Sequence, residues 1–136
     1  MALRVTLHGS GENMRNFLFV TDVARAFDFI THLGEVGHIY NIGGQNERKN
    51  IEVAREIIST MELPGDDEFI SFVEDRPFND LRYHINSDKL IELGWGELVT
   101  WEEGLRLTVN WYQEHSDRFG DIEQALVAHP RAGLSK

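Results

Sequence analysis

The chain has 136 residues, 41% hydrophobic and 26% charged, which is the size and balance of one soluble domain able to bury roughly two-thirds of its unfolded surface. With 13 Lys and Arg against 23 Asp and Glu, the formal net charge is −10, and a surface of that sign repels nucleic acid. The absence of Cys excludes disulfides, thiolate zinc sites and a thiol nucleophile. No apolar run reaches the length of a membrane span or, after Met1, of a signal peptide, so the cytoplasm is the expected location.

In chain order, residues 3–8 alternate apolar and polar positions and predict a half-buried strand, ended by Gly9-Ser10-Gly11. That turn is not a dinucleotide fingerprint, because the third glycine is replaced by Met14 and a strand over 17–20 follows where a helix would be needed. Thr21 reads as an N-cap with Asp22 in the first turn. Val23, Ala26, Phe27 and Ile30 then give one apolar helical face running to about Leu33, before Gly34 and Gly37. Residues 38–42 predict a buried strand, stopped by Gly43-Gly44. Asn50 reads as the cap of a helix whose buried face is Ile51, Ala54, Ile57, Ile58 and Met61, closed by Pro64-Gly65.

A further strand is predicted over 69–73, and Ser87 reads as the cap of a short helix ending at Gly94. Thr100 with Glu103 is a capping box opening a helix with Trp101, Leu105, Thr108, Val109 and Tyr112 on its core side. Ile122, Ala125 and Leu126 form a modest apolar face near the C-terminus. Strands alternating with helices argue for an α/β arrangement with helices against a sheet. No internal repeat, low-complexity tract or linker interrupts the chain, so residues 1–136 read as one unit.

Chemistry is sparse. His8, His32, His38, His84, His115 and His129 form no i, i+4 pair, so no metal-binding spacing is present. Gly9-Ser10-Gly11 lacks the context of a nucleophile elbow, and Asp66-Asp67-Glu68 and Glu102-Glu103 read as a solvated loop and a helix first turn. The informative stretch is 73–83, at the C-terminal end of a predicted strand, where ligands lie in open α/β sheets. Arg76 precedes Pro77, which holds its backbone extended, and a fixed guanidinium suits phosphate oxygens. The same residues also fit a solvated turn with an Asp75–Arg76 contact worth about 0–1 kcal/mol. Arg15 leaves the glycine turn at a strand entrance, where it could face the same cleft.

Five blocks carry a family resemblance: residues 7–26, 34–43, 75–83 (Asp75-Arg76-Pro77-Phe78-Asn79-Asp80-Leu81-Arg82-Tyr83), 89–95 and Trp111-Tyr112. In order and spacing they resemble the nucleotide-sugar 4,6-dehydratases, and Arg76-Pro77-Phe78-Asn79-Asp80 looks more like the UDP-glucose enzymes than the dTDP-glucose ones, where a histidine commonly replaces Asn79. The resemblance implies the C-terminal, substrate-binding portion of an extended short-chain dehydrogenase/reductase, a Rossmann-type α/β fold. It implies a nucleotide-diphosphate sugar as ligand, with Arg15 and Arg76 on the pyrophosphate, Asn50 contacting the nucleotide and Asn79 on the phosphate side. Arg82 is expected to serve structure, pairing with Asp80.

In the intact family, a homodimer, NAD oxidises the sugar C4 hydroxyl, water leaves across C5 and C6, and hydride returns at C6. The Gly-x-x-Gly-x-x-Gly, Tyr-x-x-x-Lys and Thr-Asp-Glu elements of that chemistry do not occur in these 136 residues. The chain by itself is therefore expected neither to bind NAD nor to turn substrate over, and its strands are expected to leave a sheet edge exposed. Two alternatives stand: part of a related nucleotide-sugar epimerase or decarboxylase, or a non-catalytic nucleotide-binding or interaction module.

Overall fold

Two small sheets, each joining segments distant in sequence, carry the architecture. The computed structural model describes residues 4–65, 67–120 and 122. In it β1 (Val5–His8) runs parallel to β4 (Ile70–Val73), with Val5 opposite Ile70 and His8 opposite Val73. A parallel pair needs a long crossover, and here the connection contains most of the other elements: β2 (Met14–Phe17), α1 (Val20–Leu33), β3 (Asn46–Lys49) and α2 (Asn50–Thr60). β2 and β3 pair antiparallel, placing Arg15 opposite Arg48 and Phe17 opposite Asn46. α3 (Asp88–Glu92) and α4 (Trp101–Glu114) follow β4, so the fold is α/β with few strands and packed helices.

The apolar periodicity of α2 becomes the first core, where Ile51, Ala54 and Ile58 close over Leu7 of β1 and Ile70 of β4. The second core joins α1 to α3 and the chain beyond it, through Ala26, Leu90 and Trp95, with Leu18, Phe29, Ile30, Ile42 and Leu93 around them. Burying a side chain such as Ile58 or Leu90 contributes about 1.5–3 kcal/mol. Beside this core lies Asp22, also buried. Its carboxylate accepts N–H bonds from Leu98 (3.1 Å) and Val99 (3.0 Å) and the Arg25 guanidinium (2.8 Å), while the Trp95 indole donates to its backbone carbonyl (3.0 Å).

Several expectations are corrected. Residues 38–42 form no strand, and Ile39 is 79% exposed, because no neighbouring strand among the described residues offers ladder partners for that backbone. The strand expected over 17–20 lies instead at Met14–Phe17, and α1 starts at Val20 with Phe19 as its N-cap, which puts Thr21 inside the first turn. Lys49, not Asn50, is the N-cap of α2, and the Glu52 carboxylate accepts its N–H at 3.0 Å. Ser87 is the N-cap of α3 as expected, with its carbonyl accepting the Leu90 and Ile91 N–H groups, but its hydroxyl makes no capping bond and is engaged with both the N–H and the carbonyl of Gly43, each at 2.9 Å. Phe27, Met61 and Tyr112 are exposed rather than core, and Tyr112 instead stacks on Phe119 with ring centres 5.3 Å apart. The Thr100 cap forms as expected, accepting the Glu103 N–H at 3.2 Å. Ala125 and Leu126 lie outside the described residues.

Candidate functional site

The parallel ladder extends past β1 and β4 and aims the 73–83 segment. Gly9 donates its N–H to the Val73 carbonyl at 2.9 Å, and the His8 ring meets the Glu74 carbonyl at 3.3 Å. The chain then turns at Pro77 and Phe78. Phe78 sits at φ +60 with its ring fully exposed, a backbone state that non-glycine residues rarely adopt. The returning limb lies along β2, through a Met14 N–H bond to the Leu81 carbonyl (2.7 Å) and a bridge between Met14 and Arg82. Loop and strand thus form one surface from residues more than sixty positions apart.

On that surface the structure brings Arg15 and Asn79 into contact. The half-buried Arg15 donates from Nη2 to Asn79 Oδ1 (3.0 Å) and from Nη1 to the carbonyls of Met14 (2.7 Å) and Asp80 (3.0 Å), and its guanidinium lies 4.9 Å from the centre of the Tyr83 ring. These bonds leave part of its planar donor fork available. Asn79 Nδ2 donates in turn to Asp75 Oδ1 (2.7 Å), which also accepts the Arg76 N–H (2.8 Å). Arg76 itself is exposed. Arg15 and Arg76 are therefore connected through Asn79 and Asp75. Asn50, the first residue of α2, is joined less directly: its N–H meets the Asn13 carbonyl (3.0 Å), and Asn13 Nδ2 reaches the Asp80 carbonyl (3.1 Å) that Arg15 shares.

Hydrogen bonding sets the electrostatics of the loop. The Asn79 amide, seconded by the Arg76 N–H, outweighs desolvation and holds the Asp75 carboxyl below its ordinary value. The Tyr83 hydroxyl donates to Asp80, which raises the Tyr83 pKa. Arg82 does not pair with Asp80. It donates to Glu47 (Nε to Oε1, 3.0 Å), which lowers the pKa of Glu47 and raises its own, because the returning limb runs beside β2 and directs Arg82 across toward β3. Asn13, buried beneath the loop, and Asp75, its central acceptor, were not legible as site residues. Asn13 carries no spacing signal, and Asp75 reads as one acid among several.

The glycine turn does not fit a dinucleotide. A Cβ on Gly9 would meet Asp75 Oδ2 at 2.7 Å, and one on Gly11 would meet Ile51 Cβ at 3.0 Å, so the space these glycines provide is filled from within. The turn leads into β2 rather than a helix N-terminus. Elsewhere, an apolar cavity of ≈ 230 Å³ between the β2–β3 pair, α2 and α4 is lined by Phe19, Val53, Ile57, Val99, Trp101 and Leu105, and by none of Arg15, Asn50, Arg76 or Asn79. Among the described residues no group of three or more His, Asp or Glu could hold a metal ion.

Fold and chain order place the protein among the α/β, Rossmann-type extended short-chain dehydrogenases/reductases. Residues 2–108 match the family model described as GDP-mannose 4,6 dehydratase, and the chain belongs to this family of nucleotide-sugar 4,6-dehydratases. It is 46% identical over 125 residues to a trifunctional UDP-glucose 4,6-dehydratase/UDP-4-keto-6-deoxy-D-glucose 3,5-epimerase/UDP-4-keto-L-rhamnose-reductase of Arabidopsis thaliana, covering 92% of this chain and 18% of that protein. The dTDP-glucose 4,6-dehydratase of Bacillus anthracis, solved in complex with NAD, superposes with a TM-score of 0.76 at 40% identity, over 84% of this chain and 36% of that one. The Streptomyces venezuelae dTDP-glucose 4,6-dehydratase, with NAD and TYD bound, gives 0.79 at 31% identity, over 85% and 35%. The chain thus spans less than two-fifths of the length of each of these proteins.

Proposed function

We propose that residues 1–136 form the nucleotide-sugar-binding portion of an NAD-dependent 4,6-dehydratase that converts UDP-glucose or dTDP-glucose to its 4-keto-6-deoxy product. Arg15 and Arg76 take the diphosphate, Asn50 contacts the nucleotide, and Asn79 lies on the phosphate side. The observation that carries this reading is the hydrogen-bonded chain Arg15–Asn79–Asp75–Arg76, which ties two arginines from distant segments into one loop surface at the end of a parallel strand pair. In a protein of net charge −10, two arginines carried on one loop surface offer a small anion a local attraction at distances shorter than the ~8–10 Å over which salt screens the remaining surface. Each charge-assisted hydrogen bond to phosphate contributes about 1.5–3 kcal/mol.

UDP-glucose is favoured over dTDP-glucose by the higher identity to the UDP-glucose relative, 46% against 40% and 31% for the dTDP-glucose enzymes above, and by Asn79 in the loop. NAD, when bound in the intact enzyme, supplies the hydride acceptor and donor. The filled glycine turn does not fit it, so the role of these residues is to bind and orient the sugar nucleotide, in a cytoplasmic, homodimeric enzyme. No helix among the described residues is long and apolar enough to cross a membrane.

Calorimetric titration of this chain with UDP, dTDP, UDP-glucose and uridine tests the reading. Binding of the diphosphates but not of uridine is expected, with no turnover of UDP-glucose by the chain alone. Absence of binding by every diphosphate at millimolar concentration would contradict it.

A further inference from the structure

We infer that Asp75 is the positioning residue of the loop, a carboxylate that holds the backbone of Arg76 and, through Asn79, orients the guanidinium of Arg15 for the ligand. This inference rests on the diphosphate-binding reading above and deepens it. An acid next to an anion site weakens anion binding through its charge, so its place in this loop calls for a different contribution.

Three observations supply one. Asp75 Oδ1 accepts both the Arg76 N–H at 2.8 Å and Asn79 Nδ2 at 2.7 Å, which pins the loop on both sides of the Pro77–Phe78 turn. Because an amide has one donor end and one acceptor end, engaging Nδ2 with Asp75 fixes which way Asn79 faces. Its Oδ1 is left toward Arg15 Nη2, at 3.0 Å. Without Asp75 the amide is free to rotate and offer its NH₂ to the guanidinium, donor against donor. Finally, the carboxylate has a dedicated seat against Gly9, which lies at φ +63 and whose missing Cβ would fall 2.7 Å from Asp75 Oδ2. Gly9 is itself fixed by its N–H bond to Val73 (2.9 Å). With both ends of its amide engaged, Asn79 acts on the ligand through Arg15, as a connector.

The test is calorimetric titration of the full chain with UDP, comparing Asp75→Ala, Asp75→Asn, Asn79→Ala and Arg76→Ala with the unaltered protein. Removing the negative charge alone would tighten UDP binding. The positioning role predicts the opposite sign, a weakening of about ten-fold in Asp75→Ala and Asn79→Ala, with most of the affinity kept in Asp75→Asn, which retains an Oδ1 acceptor. Unchanged or tighter binding in Asp75→Ala, alongside a clear loss in Arg76→Ala, would overturn the positioning role and leave the diphosphate reading intact. Undiminished binding in Arg76→Ala, or none in the unaltered chain, would overturn the diphosphate reading and the ligand-directed role with it.

The network also has a readout that needs neither ligand nor full recovery of the alanine variant. In ¹H–¹⁵N spectra, the Asn79 side-chain amide should be displaced from free-amide positions in the unaltered chain and in Asp75→Asn, and should return to them in Asp75→Ala. An Asn79 amide already at free-amide positions in the unaltered chain, or unmoved by Asp75→Ala, would sink the inference.

Discussion

The Asp22 carboxylate accepts three hydrogen bonds and that of Asp75 two, from backbone and side-chain donors in each case, yet they stand in opposite surroundings. Asp22 is fully buried beside the α1–α3 core, where the Leu98 and Val99 N–H groups and the Arg25 guanidinium surround its carboxylate. Asp75 stands at the surface among Arg76, Asn79 and Gly9. In the first case the network is closed, and it ties the 97–99 strap to α1. In the second it is open, since Arg76 and part of the Arg15 fork still face solvent. A closed network contributes stability; an open one contributes a surface ready to bind. Variants of the two regions should separate these contributions.

The largest effect is expected for Asp22→Ala, which leaves the Leu98 and Val99 N–H groups without their acceptor and Arg25 with the Gly96 carbonyl at 3.2 Å but no carboxylate. Urea denaturation should show a loss of about 3 kcal/mol. The same residue predicts a pH dependence. Burial raises the Asp22 pKa, but the bonds from Val99, Leu98 and Arg25 outweigh it and leave the folded value below the ordinary one. Its contribution is thus complete above the unfolded carboxylate pKa of about 4 and is lost as pH falls through the lowered folded value. The urea midpoint should drop on acidification from about pH 5 to pH 2 and drop less in Asp22→Asn.

Next in size is Arg76→Ala, expected to weaken UDP binding roughly ten-fold or more while changing stability by no more than about 0.5 kcal/mol. A comparable loss of stability would show that Arg76 belongs to the closed kind of network. A smaller effect of opposite sign is expected for Phe78→Gly. Relief of the φ +60 backbone, partly offset by the freedom glycine adds to the unfolded chain, should stabilise by about 0.5 kcal/mol. The smallest belongs to Arg82→Ala: its pair with Glu47 is exposed and screened by solvent, so the urea midpoint should stay indistinguishable from that of the unaltered chain.

What could be read in the sequence was local. The 3.6-residue spacing of Ile51, Ala54 and Ile58 marked the buried face of α2, and Thr100 with Glu103 marked the start of α4 at the residue where it occurs. Residues 38–42 misled because strand preference reflects fit to a half-buried pleated surface, and among the described residues no partner strand supplies that surface. Asp22 was visible as a first-turn acid, but its N–H partners lie 76 and 77 positions away. The candidate site divides in the same way. Arg76 stood out through Pro77, whereas the Arg15–Asn79 contact, the seat of Asp75 on Gly9 and the Arg82–Glu47 pair depend on how β2 lies against the returning loop.

The most direct test of the diphosphate handle follows the arginine Nε–H signals of this chain in ¹H–¹⁵N spectra as UDP is added. Arg15 and Arg76 should move together and saturate at one ligand concentration, with Arg25 and Arg48 unmoved. Stationary Arg15 and Arg76 signals, or changes confined to the Trp101 indole beside the apolar cavity, would contradict the assignment of this loop as the diphosphate site.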